Sequence, residues 1–136
     1  MTEKILLVDD EPNVLAGLKR QFRKQFDLEI SLGGEQGLEL VESRGPFAVI
    51  VSDMRMPGMD GLAALERLKA ERPETSVIMV TLYDDPDYLL RAVMAGAAGY
   101  ILKDASRSEL IRAVRVTASG GAIISPLMLR GLLQEV

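Results

Sequence analysis

The sequence predicts an α/β domain, an open parallel sheet with helices packed on both faces, and three observations carry that expectation. Four short apolar runs, at residues 5–8, 47–51, 77–80 and 100–102, are nearly continuous rather than alternating. Strands covered on both faces read this way. Amphipathic segments lie between them, so strand then helix repeats five times, and right-handed crossovers make one parallel sheet of that order. Helix start signals fall where this alternation needs them.

In chain order, the first run is followed by a helix marked by Val14, Leu15, Leu18 and Phe22. A weaker run at 28–31 precedes a short second helix over 35–42, with Leu38 and Val41 on its apolar side. Leu62, Leu65 and Leu68 mark the third helix, and Leu89, Leu90, Val93 and Met94 the fourth. Asp85-Pro86 reads as an N-cap followed by proline at the first helical position. Leu110, Ile111 and Val114 mark the fifth helix, and Ser106 stands at capping-box spacing from Glu109. Beyond it, Ser119-Gly120-Gly121 breaks the helix and residues 122–124 read as extended. Ser125-Pro126 then starts another helix, in which Leu129, Leu132, Leu133 and Val136 form a stripe. A five-stranded domain does not need this addition, which looks like the start of a linker.

Composition narrows the chemistry. At 136 residues with 48% apolar content, the chain suffices for one compact domain. It contains no cysteine and no histidine. Disulfides, thiolate nucleophiles, zinc clusters and imidazole triads are thereby excluded. A metal site would have to be built from oxygen, which points to a hard cation such as magnesium. No basic-then-apolar leader opens the chain, and no apolar run approaches the ~18 residues of a membrane span. A soluble, cytoplasmic protein without membrane contact is expected. Net charge is −4 and the 16 basic residues are spread along the chain, so nucleic-acid binding by this segment alone is not expected.

In an open α/β sheet, ligands bind at the carboxyl ends of the strands. Those ends supply Asp9 and Asp10 after the first strand, Asp53 after the third, Thr81 after the fourth and Lys103 after the fifth. Carboxylates so gathered repel one another, and a divalent cation would hold them together. An aspartate can attack phosphorus to give an acyl phosphate. Each residue also has a structural alternative. Asp9 and Asp10 could cap the helix near Pro12, Thr81 could be a β-branched strand residue, and Tyr100 could simply pack. Lys103 could be solvated. Asp60 is read as the cap of the helix from Gly61, with no chemistry assigned.

The set Asp9-Asp10, Val-Ser-Asp53-Met-Arg-Met-Pro57-Gly-Met-Asp60-Gly61, Thr81, and Gly99-Tyr100-Ile-Leu-Lys103 resembles the CheY-like response regulator receiver domains over residues 3–118. The resemblance implies a flavodoxin-like (βα)5 fold with strand order 2-1-3-4-5. It also implies a role in two-component signalling rather than turnover of a separate substrate. Asp53 would accept a phosphoryl group from a sensor histidine kinase. Asp10, Asp53 and the backbone carbonyl of Arg55 would ligate magnesium, with Asp9 acting largely through water. Lys103 would pair with the phosphoryl group, Thr81 would move toward it, and Tyr100 would turn inward, remodelling the face of helix four, strand five and helix five. The domain would assist its own phosphorylation and dephosphorylation, and a homodimer on activation is expected.

A second similarity, carried by Gly99 to Ser106 together with Ser119-Gly-Gly and Ile124-Ser-Pro, is to the nitrate-regulator class of transcription factors. It implies a receiver over 1–118 and a linker over 119–136 leading to a missing output domain, through which alone DNA would be reached. Departures are Leu82 directly after Thr81, where a small residue is usual, followed by Tyr83, and Asp104 where proline is common. A cis bond there would cost ~3 kcal/mol without proline, so trans is expected. The competing reading is a receiver that docks partners or dimerises without phosphorylation. A haloacid-dehalogenase-type phosphatase would need aspartate at position 55, which is arginine. A flavodoxin-like electron carrier would need a hydroxyl-rich loop where Asp9-Asp10-Glu11 stands.

Overall fold

The computed structural model describes residues 3–53, 61–81, 86–102 and 105–124, together with 130 and 133. Its elements run β1 (Lys4–Val8), α1 (Pro12–Phe22), β2 (Asp27–Ser31), α2 (Gly34–Arg44), β3 (Val49–Asp53), α3 (Gly61–Glu71), β4 (Ser76–Thr81), α4 (Pro86–Met94), β5 (Gly99–Leu102), α5 (Arg107–Ala118) and β6 (Ile123–Ile124). The sheet order is β2-β1-β3-β4-β5-β6, every pair parallel. This is the doubly wound 2-1-3-4-5 arrangement that the resemblance implies, with a two-residue strand added beyond β5. The added strand comes from residues the sequence assigns to a linker. The sequence reads residues 122–124 as extended, and what the structure adds is their parallel pairing with β5.

Alternation along the central strands divides the core in two. Leu6, Val8, Ile50, Val77, Met79 and Tyr100 face one way and pack against Val41, Leu62, Leu65, Leu68 and Leu89 of α2, α3 and α4. Ile5, Leu7, Val49, Val51 and Ile78 face the other way, against Leu15 and Phe22 of α1 and Leu110 and Val114 of α5. Burial on both faces explains the continuous apolar runs of β1, β3 and β4. β2 is the open edge, half exposed along most of its length, and its weak sequence signal follows from that position.

Two strands end later than their apolar runs. β3 continues through Ser52 and Asp53 because β1 and β4 pair with it on both sides, Ser52 with Val8 and Asp53 with Val80. β4 likewise includes Thr81, paired with Leu102. Phe47 is buried but precedes the strand.

Start signals hold where they are described. Pro12 opens α1, and Ser106 caps α5 by accepting from Glu109 N–H at 3.2 Å. The Ser106 hydroxyl also donates to the Glu109 carboxylate at 3.1 Å. Asp85 lies outside the described residues. Of the final leucine stripe only Leu133 is described, helical in backbone and exposed. No described helix is long and apolar enough to cross a membrane.

Candidate functional site

The candidate site forms where β1, β3 and β4 end at one edge of the sheet. Asp53 is the last residue of β3 and is buried, at 6% exposure. Asp9, which follows β1, is 4% exposed, and Asp10 beside it is half-buried. Carboxylate oxygens from Asp9, Asp10 and Asp53 all lie within 4.8 Å of one another. Thr81, the last residue of β4, is buried in the strand adjoining Asp53. Parallel pairing explains the convergence: in-register parallel strands terminate together, so residues far apart in sequence share one edge.

The loop carrying the two aspartates is fixed by its backbone. Asp9 N–H donates to the Ser31 carbonyl at 3.1 Å, which ties the end of β1 to the end of β2. The Asp9 carboxylate accepts Glu11 N–H at 3.0 Å, and Glu11 is the N-cap of α1, without a side-chain cap of its own. The structural alternative for Asp9 is therefore partly realised: one of its oxygens shapes the helix entry while the group faces the acidic cluster. Ser31 is buried, and its hydroxyl donates to the Gly33 carbonyl at 2.7 Å. Sequence pattern gives Ser31 no role, since the only signal was its place at the end of a weak strand.

Tyr100 is 1% exposed and packs among the apolar residues on the α2, α3 and α4 side. Its ring is part of the core. Lys103, Asp104, Arg55, Asp60, Leu82 and Tyr83 lie outside the described residues. Of the expected site, the structure brings together Asp9, Asp10, Asp53 and Thr81, with Tyr100 on the neighbouring strand.

The donor set is all oxygen, from three acidic side chains. Three carboxylates this close are held most stably around a divalent cation, and oxygen-only ligands suit magnesium. The residues present thus fit a magnesium site. Chemically, the cluster offers a buried carboxylate with a buried hydroxyl on the adjoining strand at the carboxyl edge of the sheet.

Comparison with known proteins gives a concordant result. The family model for the response regulator receiver domain matches residues 5–115. The chain is 35% identical over 135 residues to the transcriptional regulatory protein DegU of Brevibacillus brevis, covering 97% of this chain and 57% of that protein. It is 32% identical over 124 residues to the nitrate/nitrite response regulator protein NarL of Escherichia coli (strain K12), covering 89% of this chain and 57% of that protein. A solved LuxR-family two-component response regulator from Aurantimonas sp. SI85-9A1 superposes with a TM-score of 0.90 at 25% identity, over 99% of this chain and 98% of that one. This chain spans a little over half the length of the two curated relatives.

Proposed function

Because the chain belongs to the response regulator receiver domain family, we propose that Asp53 accepts a phosphoryl group from a phosphohistidine of a sensor kinase. The observation that carries this reading is the convergence of Asp9, Asp10 and Asp53 within 4.8 Å, beside the buried Thr81. In the transfer, an Asp53 carboxylate oxygen forms a bond to phosphorus as the bond from phosphorus to the imidazole nitrogen breaks. The product is an acyl phosphate.

Asp10, Asp53 and the backbone carbonyl of Arg55 would hold magnesium, with Asp9 contributing through water. When bound, the ion neutralises charge on the carboxylates and on the phosphoryl oxygens. Asp9 also keeps the loop in shape through its bond to Glu11 N–H. Thr81 donates its hydroxyl to a phosphoryl oxygen, and Lys103 supplies a balancing positive charge. Tyr100, buried two positions along the sheet from Thr81, holds the inward state that this movement favours. The α4–β5–α5 face then carries the signal to an output, with homodimerisation on activation. Two of the relatives are named as regulators of transcription or of a nitrate response. Control of transcription through a separate DNA-binding output domain is the corresponding proposal here.

The test is intact mass after incubation with magnesium and acetyl phosphate, with Asp53→Asn alongside. One added phosphoryl group on the wild type and none on the variant is expected. An unmodified wild type, or a variant that still gains the group, overturns the assignment.

A further inference from the structure

The chain leaves α5 through a turn of defined geometry. Gly120 N–H donates to the Thr117 carbonyl and Gly121 N–H to the Val116 carbonyl, each at 3.0 Å. These are the paired bonds of a Schellman ending. Gly120 has φ +91°, which glycine adopts without a Cβ penalty. A Cβ on Gly121 would lie 2.9 Å from Val116 Cγ1, so the reversing chain hugs the helix. It then runs beside β5. Ile123 N–H donates to the Ala98 carbonyl at 2.9 Å, and β6 pairs Ile123 with Gly99 and Ile124 with Tyr100.

Gly99 permits this approach. A Cβ there would stand 3.1 Å from Ile123 Cγ2 and 3.2 Å from Ile78 Cγ1. The two isoleucines fill the room a side chain would need, and Ile123 packs onto the core on the α1 and α5 side. A strand of two residues has little pairing to hold it, so its docking is a local equilibrium set by a few contacts. One of the two strands that carry the proposed switch residues pairs with this segment, and the other bonds the last turn of the helix before it. β5 pairs with β6 at Tyr100 itself. β4, which ends at Thr81, begins at Ser76, whose hydroxyl donates to the Thr117 carbonyl at 2.9 Å in the last turn of α5.

Resting on the phosphorylation of Asp53 proposed above, we propose that β6 is a conformational relay. Its docking on β5 is coupled to the inward state of Tyr100. Tyr100 buried and β6 paired occur together in the structure. Phosphorylation, by favouring the inward Tyr100, strengthens the pairing of Ile123 and Ile124. The coupling is reciprocal, so docked β6 favours inward Tyr100 by the same factor.

Hydrogen–deuterium exchange over residues 119–126, in magnesium with and without acetyl phosphate, tests the relay, with intact mass read on the same samples. Exchange in this segment is expected to slow several-fold in the phosphorylated protein. Ile123→Pro, which removes the N–H that bonds Ala98, should take the phosphoryl group yet lose the slowing. Gly99→Ala should behave alike by expelling Ile123. If Gly99→Ala fails to fold, the edge variant Ile123→Pro carries the test. A phosphorylated wild type with unchanged exchange overturns the relay and leaves the Asp53 assignment standing, and so does slowing that persists in Ile123→Pro. Absence of the phosphoryl group on the wild type refutes the reading beneath, and the relay falls with it.

Discussion

Thr81 and Tyr100 stand on the same face of neighbouring parallel strands, offset by two residues. Tyr100 is paired with Met79 and shares its core cluster, and Thr81 follows Met79 by two positions along β4. Strand alternation therefore directs Thr81 to the side on which Tyr100 is buried. On the function proposed above, a displacement of Thr81 toward Asp53 would be felt in the packing around Tyr100, because close-packed interiors leave no slack between neighbours.

That packing gives a stability prediction. Tyr100→Ala should cost about 3–5 kcal/mol, as expected for removing a buried aromatic ring. Chemical denaturation read by circular dichroism measures the cost. A loss below about 1 kcal/mol would mean that the ring is not held in the core as described.

The acidic cluster should respond to charge. With carboxylate oxygens within 4.8 Å of one another, Asp53→Asn should stabilise the metal-free protein by about 1 kcal/mol through relief of repulsion. Magnesium at a hundred times its dissociation constant should stabilise the wild type by about 2.7 kcal/mol, and the variant less. Melting curves in chelator and in magnesium provide the comparison. Identical curves for both proteins would argue against a shared site.

The start of α5 depends on one hydroxyl. Ser106→Ala removes the acceptor of Glu109 N–H and should cost about 1 kcal/mol. Denaturant titration should show the midpoint falling with an unchanged slope.

Backbone conformation makes a separate prediction at the other end of α5. A Cβ at Gly120 meets nothing within 4 Å, yet φ is +91°. Gly120→Ala should therefore lose about 1–2 kcal/mol through conformation alone. Unaltered stability would mean that this turn is not held in the left-handed region.

Leu82 and Tyr83 follow Thr81 directly in the sequence, and the proposed function gives them control of access to Asp53. A Leu82→Ala, Tyr83→Ala variant should lose its acyl phosphate several-fold faster than the wild type, because smaller side chains admit water. Decay followed by intact mass after removal of the phosphodonor tests this. Equal rates would dissociate the two residues from phosphoryl lifetime.

The order of strands and helices, the burial of both sheet faces and the acidic residues at the strand ends follow from local pattern. Continuous apolar runs, helical stripes and caps are short-range features, and Asp9, Asp10, Asp53 and Thr81 could be placed by counting from them. Tertiary pairing decided the rest. It carried β3 through Asp53 and β4 through Thr81, because hydrogen bonds from neighbouring strands extend a ladder past the last apolar residue. It gave the Ser31 carbonyl to Asp9 and brought Ile123 against Gly99. Such contacts join segments far apart in the chain, and no local periodicity encodes them. The sequence by itself determined which chemistry is available; the parallel register of the sheet decided which groups meet to perform it.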